Sequence, residues 1–547
     1  MILNQFRHFP AKIKKPGAFW ILASGILTAA AIMYPRLGLL AWISLIPYFL
    51  TLYQITDPAS GKQPLLRMGF LFGCSFYLPL FTFFYALYPL DFAGLNPLEA
   101  IAVLLFIHFS LSILYSLPYA LLPCVLRLLQ KREQGRQWTL SVPLAIAALW
   151  VLVELLDSQT CLGMPWGRLA VSQYRLTPLI QTASLLGSCF VSFLIAFFNA
   201  LLAQGIRQHF YQKSAADKGI NIWHKRREII SFLCAAVLFT GNLFYGMMAL
   251  NVEHKPTETI SVAIVQGNIS SSEKWGDNGE LLSLEHYLNM TKELSKEKEV
   301  NLIAWTEGCI PVVLNGYPEI SQRIADTAVE YGAVILVGSY YYDGTARYNA
   351  VYAFYPDGTV SSQPYCKRRL VPFVEYMPHL SFIRFLVPAL GKLNLMQSSF
   401  APGTDSSVFS TDFGTIGSLV CFDTVHEALA LSSVRDGAEL LVPLSNDAWY
   451  DTSYAVSNFM GHAVLRSVEN GRSTVRSANT GISAIIDANG RIQAESNLRT
   501  TEVILGEVSL YNDRTIYSYV GNIWIPICLL YILVLLVPFR RTRGNGN

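Results

Sequence analysis

Long apolar runs, broken by short polar loops, fill the first 250 residues of this 547-residue chain. A membrane-spanning helix needs about 17 to 25 mostly apolar residues. Runs at 19–35, 37–53, 68–87, 98–128, 140–157, 179–204 and 229–250 fit that requirement, as does a last one at 522–539. Between 251 and 521 the pattern changes. Short β-branched or apolar runs at 260–265, 300–305, 333–338, 350–355, 415–421, 438–443, 482–487 and 502–507 alternate with helical patterns near 278–296, 318–331, 424–435 and 457–470. That alternation predicts an α/β sheet packed by helices, with hairpin turns at Asp357-Gly358 and Asn489-Gly490. The chain therefore divides into a seven-helix transmembrane domain (1–250), an α/β domain (251–521) and a final transmembrane helix with its tail (522–547).

Composition agrees with this division. Residues are 52% hydrophobic and 14% charged, against about a quarter charged in ordinary soluble domains. The net charge of +3 is spread thinly, and no dense basic and aromatic surface points to nucleic acid. Lysine and arginine do fall unevenly between the short loops. One side carries Arg7, Lys12, Lys14, Lys15, Lys62, Arg67, Arg127, Lys131, Arg132, Arg136, Arg207, Lys213, Lys218, Lys225, Arg226, Arg227, Arg540, Arg541 and Arg543. The other side carries only Arg36, Arg168 and Arg175. The positive-inside rule then predicts both termini in the cytoplasm and residues 251–521 outside it.

Three places in the polar domain carry chemistry. Glu307 ends the apolar run Val300–Trp305, Lys367 sits in Tyr365-Cys-Lys-Arg-Arg369, and Cys421 ends the run Gly417–Val420. Singly, these read as a loop carboxylate, a solvated basic turn and a buried inert thiol. Together they supply what a thiol nucleophile needs: a base to take its proton and a cation to favour developing negative charge. His426 and His462 are available as alternative bases, but neither lies in a recognisable motif. Nine cysteines are scattered without a CxxC pair, which argues against a disulfide framework. No G-x-G-x-x-G, Walker A, G-x-S-x-G or H-E-x-x-H motif occurs, so neither a cofactor nor a metal is expected.

The order Glu307, Lys367, Cys421, each at a strand end, resembles the nitrilase or carbon–nitrogen hydrolase superfamily. Within it, the whole chain is similar to the bacterial apolipoprotein N-acyltransferase family. The matching segments are Gln266–Ile269 running on to Trp275, Trp305-Thr-Glu307, Lys367 with Leu370–Phe373 and Glu375, Cys421, Ser445–Trp449 and the loop Gly163–Trp166. The resemblance implies an αββα sandwich below or beside a multi-span α-helical membrane domain. It implies that Glu307 deprotonates Cys421, that Cys421 attacks an acyl ester of a phospholipid, and that Lys367 stabilises the oxyanion. The resulting thioester would pass its acyl chain to the α-amine of a diacylated apolipoprotein, the S-diacylglyceryl-cysteine acceptor. Glu375, Asp423, Trp275 and Trp449 would support the triad or position substrates, and the domain would face the periplasm from the inner membrane. Three positions depart from the family pattern: Asp423 where Glu is usual, Val374 where Gly is usual, and Asn458-Phe459 in place of Gln-His.

Other features have open readings. His108 and Glu154 lie within spans, where ionisable groups are functional candidates or helix-packing contacts. The Cys161–Gly167 loop reads as a lipid cleft or an aromatic anchor, and 376–400 as an arm that dips into the membrane interface. A membrane-anchored amidase is the competing enzyme reading, but eight spans exceed what an anchor requires. A transporter core would need the intramembrane charged pairs and broken helices that these spans lack.

Overall fold

A computed structural model describes residues 17–55, 64–90, 94–132, 140–159, 163–215, 222–294, 299–372, 374–376, 400–405, 408–450 and 453–537. The membrane half comprises α1 (Ala18–Met33), α2 (Ile46–Ile55), α3 (Leu65–Leu80), α4 (Pro97–Arg132), α5 (Ser141–Gln159), α6 (Ser188–Ala215) and α7 (Ile222–Ala249). Among the described residues six helical segments are long and apolar enough to cross a membrane, the α2 segment being extended by a preceding 3-10 turn from Pro35. The expected first and last spans are shorter apolar helices of 16 and 13 residues. Aromatic side chains fill the centre, with Tyr48 stacked on Phe72 at 4.1 Å and Trp150 edge-on to Phe72 and Tyr119.

The two ionisable groups singled out within spans are both tied down. Glu154 accepts from Trp150 Nε1 and from the Leu169 backbone, each at 2.9 Å. His108 Nε2 donates to the Leu78 carbonyl, so its Nδ1 is left to accept from Tyr85. These contacts favour the packing reading. The expected continuous span 179–204 is broken: short turns Thr177–Ile180 and Ala183–Leu186 precede Gly187, whose φ of +81° ends the run before α6 begins. A positive φ suits glycine, which has no Cβ to clash.

The polar half is a sandwich of two six-stranded sheets, each with parallel strands at its centre and antiparallel ones at its edges. The first sheet holds β1 (Glu258–Gln266), β2 (Leu302–Ala304), β3 (Val334–Tyr342), β4 (Arg347–Phe354) and β5 (Tyr365–Cys366). The second holds β6 (Val408–Thr411), β7 (Gly414–Val420), β8 (Leu440–Ser445), β9 (Ser473–Ala478), β10 (Ala484–Ile486) and β11 (Ile492–Glu495). The last strand, β12 (Glu502–Leu510), returns to pair with β1 across a nine-residue antiparallel register. Central strands such as β2 and β8 are buried throughout, as parallel strands covered on both faces must be. The sheets face one another, and Ser477 Oγ on β9 donates to the Ala304 carbonyl on β2 at 3.2 Å.

Helices α8 (Ser271–Lys274), α9 (Gly279–Lys292) and α10 (Pro318–Tyr331) lie with the first sheet, α11 (Glu427–Arg435) and α12 (Ala455–Asn470) with the second. This completes an αββα sandwich, and α13 (Trp524–Leu536) returns to the membrane helices against α5. The Asn489-Gly490 hairpin closes between β10 and β11, with Asp487 N donating to the Arg491 carbonyl.

The two halves meet through buried charge. Arg168, from the loop after α5, pairs with Glu427 at the start of α11 at 2.7 Å. Arg466 on α12 lies 3.6 Å from the same carboxylate and 2.8 Å from Glu469. Glu469 in turn accepts from the backbone N of Ser188 at 2.7 Å, at the first residue of α6. A carboxylate there meets the positive end of the helix dipole. Burial alone would raise the Glu427 pKa, but Arg168 and Arg466 outweigh it and keep the carboxylate well below its ordinary range.

Candidate active site

The residues singled out from the sequence gather where strands of both sheets end, the usual place for chemistry in parallel sheets. Glu307 lies three residues past β2, in a turn made by Gly308 at φ +54°. Behind it Tyr287 shares a 2.5 Å hydrogen bond with Thr306. Gly338 on β3 passes so close that an added Cβ would sit 2.3 Å from the Thr306 carbonyl oxygen and 2.7 Å from Glu307 Cα. Lys367 follows β5, and Cys421 follows β7 directly, opening the 3-10 turn Cys421–Val425.

Lys367 Nζ is buried between two carboxylates, 3.1 Å from Glu307 Oε1 and 2.9 Å from Glu375 Oε1. Asn349 Nδ2 donates to the same two oxygens at 2.8 Å each. The remaining oxygen of Glu307 accepts from Asn446 N at 2.7 Å, and that of Glu375 from Val371 N at 2.8 Å. Every carboxylate oxygen at the centre thus has a donor, as buried carboxylates require. Burial by itself would lower the Lys367 pKa, but Glu307 and Glu375 outweigh it and hold the amine well above its ordinary value. Lys367 is a fixed cation.

Cys421 is buried and holds φ at +48°, a left-handed conformation rare for a residue with a side chain. Such strain persists only where the surroundings over-determine it. Burial first, then the charge of Glu307, pushes its thiol well up, while the charge of Lys367 acts the other way. The group therefore rests as a thiol and needs a base before it can attack. His426 packs edge-on to Phe422 at 5.1 Å, and among the described residues no hydrogen bond joins it to Cys421.

Asp423 serves the loop that carries Lys367. Its carboxylate accepts from Arg369 N at 2.7 Å, Arg368 N at 3.2 Å, Val420 N at 3.2 Å and the Tyr365 hydroxyl at 2.8 Å. Aspartate thus holds the backbone just before the nucleophile and that of the loop carrying Lys367. Burial raises its pKa to about 6. Trp449 ends the 3-10 turn Asp447–Trp449 after β8. Trp275 is 53% exposed and lies parallel to Tyr340 at 6.1 Å. Gln266 and its neighbours are structural: Gln266 Nε2 donates to the Asn497 and Thr500 carbonyls, and Asn479 ties Ile269 to Asn446.

Asn349 and Arg476 (which pairs with Asp447 at 2.8 Å) were not singled out from the sequence, and Ser445 and Asn446 entered only within the matching segment Ser445–Trp449. Asn349 left one signal, a polar residue inside the apolar run Tyr348–Phe354. Trp166 is neither an interfacial anchor nor a cleft wall. It is 1% exposed, wedged among Phe83, Phe422 and Phe459 at 5.7, 6.3 and 5.1 Å. The departing pair joins this packing, with Asn458 Nδ2 donating to the Trp166 carbonyl. Of the expected interfacial arm 376–400, only Tyr376 and Phe400 are among the described residues, and Cys161 and Leu162 of the outer loop also lie outside them.

Two facing sheets with a thiol, an amine and carboxylates at their strand ends, carried on a membrane helix bundle, define a carbon–nitrogen hydrolase module in a membrane enzyme. A family model described as carbon–nitrogen hydrolase matches residues 261–514, and one described as the apolipoprotein N-acyltransferase N-terminal domain matches 24–201. An apolipoprotein N-acyltransferase of Geobacter metallireducens is 31% identical over 95% of this chain and 94% of its own length. One of Pseudomonas syringae pv. tomato is 28% identical over 95% and 96%. Among solved structures, a carbon–nitrogen hydrolase from Helicobacter pylori G27 matches with a TM-score of 0.37 at 16% identity, covering 49% of this chain and 94% of its own. The chain belongs to the apolipoprotein N-acyltransferase family.

Proposed function

We propose that this enzyme transfers a fatty acyl chain from a membrane phospholipid to the N-terminal α-amine of an S-diacylglyceryl-cysteine apolipoprotein, through a thioester on Cys421. The observation that carries the reading is the Lys367 ammonium, fixed between Glu307 and Glu375 beside a strained, buried thiol. Glu307 takes the Cys421 proton as sulfur attacks the donor ester carbonyl, and Lys367 stabilises the tetrahedral oxyanion. Glu307 then gives that proton to the departing lysophospholipid alkoxide. In the second half, the acceptor amine attacks the thioester carbonyl and its proton passes through Glu307 to the leaving Cys421 sulfur. Each half breaks one acyl bond and forms one, which is a ping-pong transfer. Glu375 holds Lys367, Asp423 holds the loop behind it, and Trp275 and Trp449 position substrates.

The lysine and arginine asymmetry of the loops supports an inner-membrane protein with cytoplasmic termini and a periplasmic catalytic domain at 251–521. The helices at 1–250 and 522–547 then serve as the lipid-facing platform. Acyl trapping tests the reading. Purified protein in mixed micelles with phospholipid alone should gain one acyl chain by intact mass, labile to hydroxylamine and absent from Cys421→Ala. A diacylglyceryl-cysteine peptide should then discharge it as an amide. An active preparation that never carries the chain would refute the mechanism.

A further inference from the structure

Lys274 is a second buried cation at the edge of the site. It is 4% exposed, and among the described residues its ammonium has neither a hydrogen bond nor an ion pair. Burial, chiefly, lowers its pKa below the ordinary lysine value, and an anion beside it would favour the charged form. Glu307 is close enough to act on it electrostatically, as is Cys309. Among the described residues Glu307 forms no ion pair with it, and the Glu307 oxygens accept instead from Lys367, Asn349 and Asn446.

A second donor converges on the same point. A methyl group placed on Gly308 would lie 3.5 Å from Tyr340 Oη and 3.9 Å from Lys274 Nζ. Glycine at 308, one residue from Glu307, leaves that space open. The exposed Trp275 indole lies over the Tyr340 ring next in sequence to Lys274, offering an apolar surface beside the two donors.

We infer that Lys274 and Tyr340 form a subsite for the phosphodiester of the phospholipid donor, placed so that headgroup recognition and ester attack occur around one turn, Glu307-Gly308. The inference rests on the phospholipid-donor reading above. It separates two jobs for the lysines: Lys367 meets charge that develops during the reaction, and Lys274 meets charge the donor already carries. The first raises turnover, and the second sets which lipids are taken as donors.

The test compares acyl-enzyme formation from phosphatidylglycerol and from diacylglycerol in mixed micelles. Both present the same ester chemistry, but only the first has a phosphate. Wild type should prefer phosphatidylglycerol, and Lys274→Met should cut the ratio of the two kcat/KM values by about ten-fold or more, as loss of a charged hydrogen bond predicts. Tyr340→Phe should cut it less. An unchanged ratio in Lys274→Met overturns the subsite, as does equal loss on both donors, which would make Lys274 a balance for the Glu307 charge. Inorganic phosphate added to the diacylglycerol reaction separates the sources of the anion: inhibition at sub-millimolar phosphate would mark a free-anion site and overturn the headgroup assignment. Wild type acylated equally by both donors would remove the subsite and leave the acyl-enzyme standing. Wild type acylated by neither would bring down the donor reading itself.

Discussion

Glu375 approaches the Lys367 ammonium more closely than Glu307 does, 2.9 Å against 3.1 Å. The second carboxylate is anchored by Val371 N on its other oxygen, and Asn349 Nδ2 ties it to the proposed base. Glu307 is thereby relieved of holding Lys367 alone, and its second oxygen is held by backbone rather than by another charge.

Glu375→Gln should therefore damage the reaction with Glu307, Lys367 and Cys421 all present. Acylation of Cys421 in single-turnover mass measurements should slow by about 100-fold, the scale of losing one preorganised electrostatic contact. Wild-type rates would show that Glu307 and Asn349 suffice to hold Lys367.

Gly338→Ala should displace the proposed base without touching it chemically. The new Cβ would lie 2.3 Å from the Thr306 carbonyl oxygen, a backbone atom that can yield only by moving the Glu307 turn. Expected outcomes are a fall in acylation of more than about ten-fold and a lowered unfolding midpoint, as overpacking strain predicts. Full acylation would mean that the turn has slack.

Removing one partner of the interdomain ion pair should cost more than removing both. Arg168→Met leaves the buried Glu427 with Arg466 at 3.6 Å and a neutral donor, Asn522 Nδ2, at 3.3 Å. Loss of one partner of a buried pair costs about 3–5 kcal/mol, read by denaturant unfolding in detergent. The double variant Arg168→Met, Glu427→Gln should recover a good part of that loss.

Acid should destabilise the catalytic half through two buried histidines. Burial, chiefly, lowers the His426 pKa to about 3 and takes His462 well below its ordinary value. Below about pH 6.5 the unfolded chain binds protons that the folded chain refuses, so stability falls as pH falls, by about 1.4 kcal/mol per unit for each histidine. For His426 the loss accumulates from pH 6.5 down to about 3 and then levels off. The unfolding midpoint should drop between pH 7 and 5, and the His426→Leu, His462→Leu protein should drop less. Equal drops would assign the acid sensitivity elsewhere.

Much of this was legible from hydrophobic pattern because the elements concerned are defined by burial. The apolar helices and the strands β1, β2, β3, β4, β7 and β8 all contain mostly apolar runs. β9 was missed because Ser473–Ala478 is buried through pairing rather than apolarity, with Arg476 neutralised by Asp447. The two-residue β5 and the polar edge strand β11 are too short or too mixed to show a period. The order of Glu307, Lys367 and Cys421 was visible, since each follows an apolar run. Asn349 was not, and Asn446 entered only as part of the segment Ser445–Trp449, because their value lies in donors aimed across the sheets, which no spacing encodes. The break before α6 depended on one glycine torsion and on a carboxylate from a distant helix.

The pairing of Arg168 with Glu427 spans 259 residues of sequence, and this bears on how the chain is made. During synthesis Arg168 arrives at the membrane border long before Glu427, Arg466 and Glu469 have left the ribosome. The loop after α5 must wait in a hydrated, provisional state, and the start of α6 waits with it for the carboxylate that caps Ser188. Assembly of the lipid-facing half is thus completed last, by the domain it supports. A nascent chain stopped short of Glu427 would be inserted but unfinished, a natural substrate for membrane quality control.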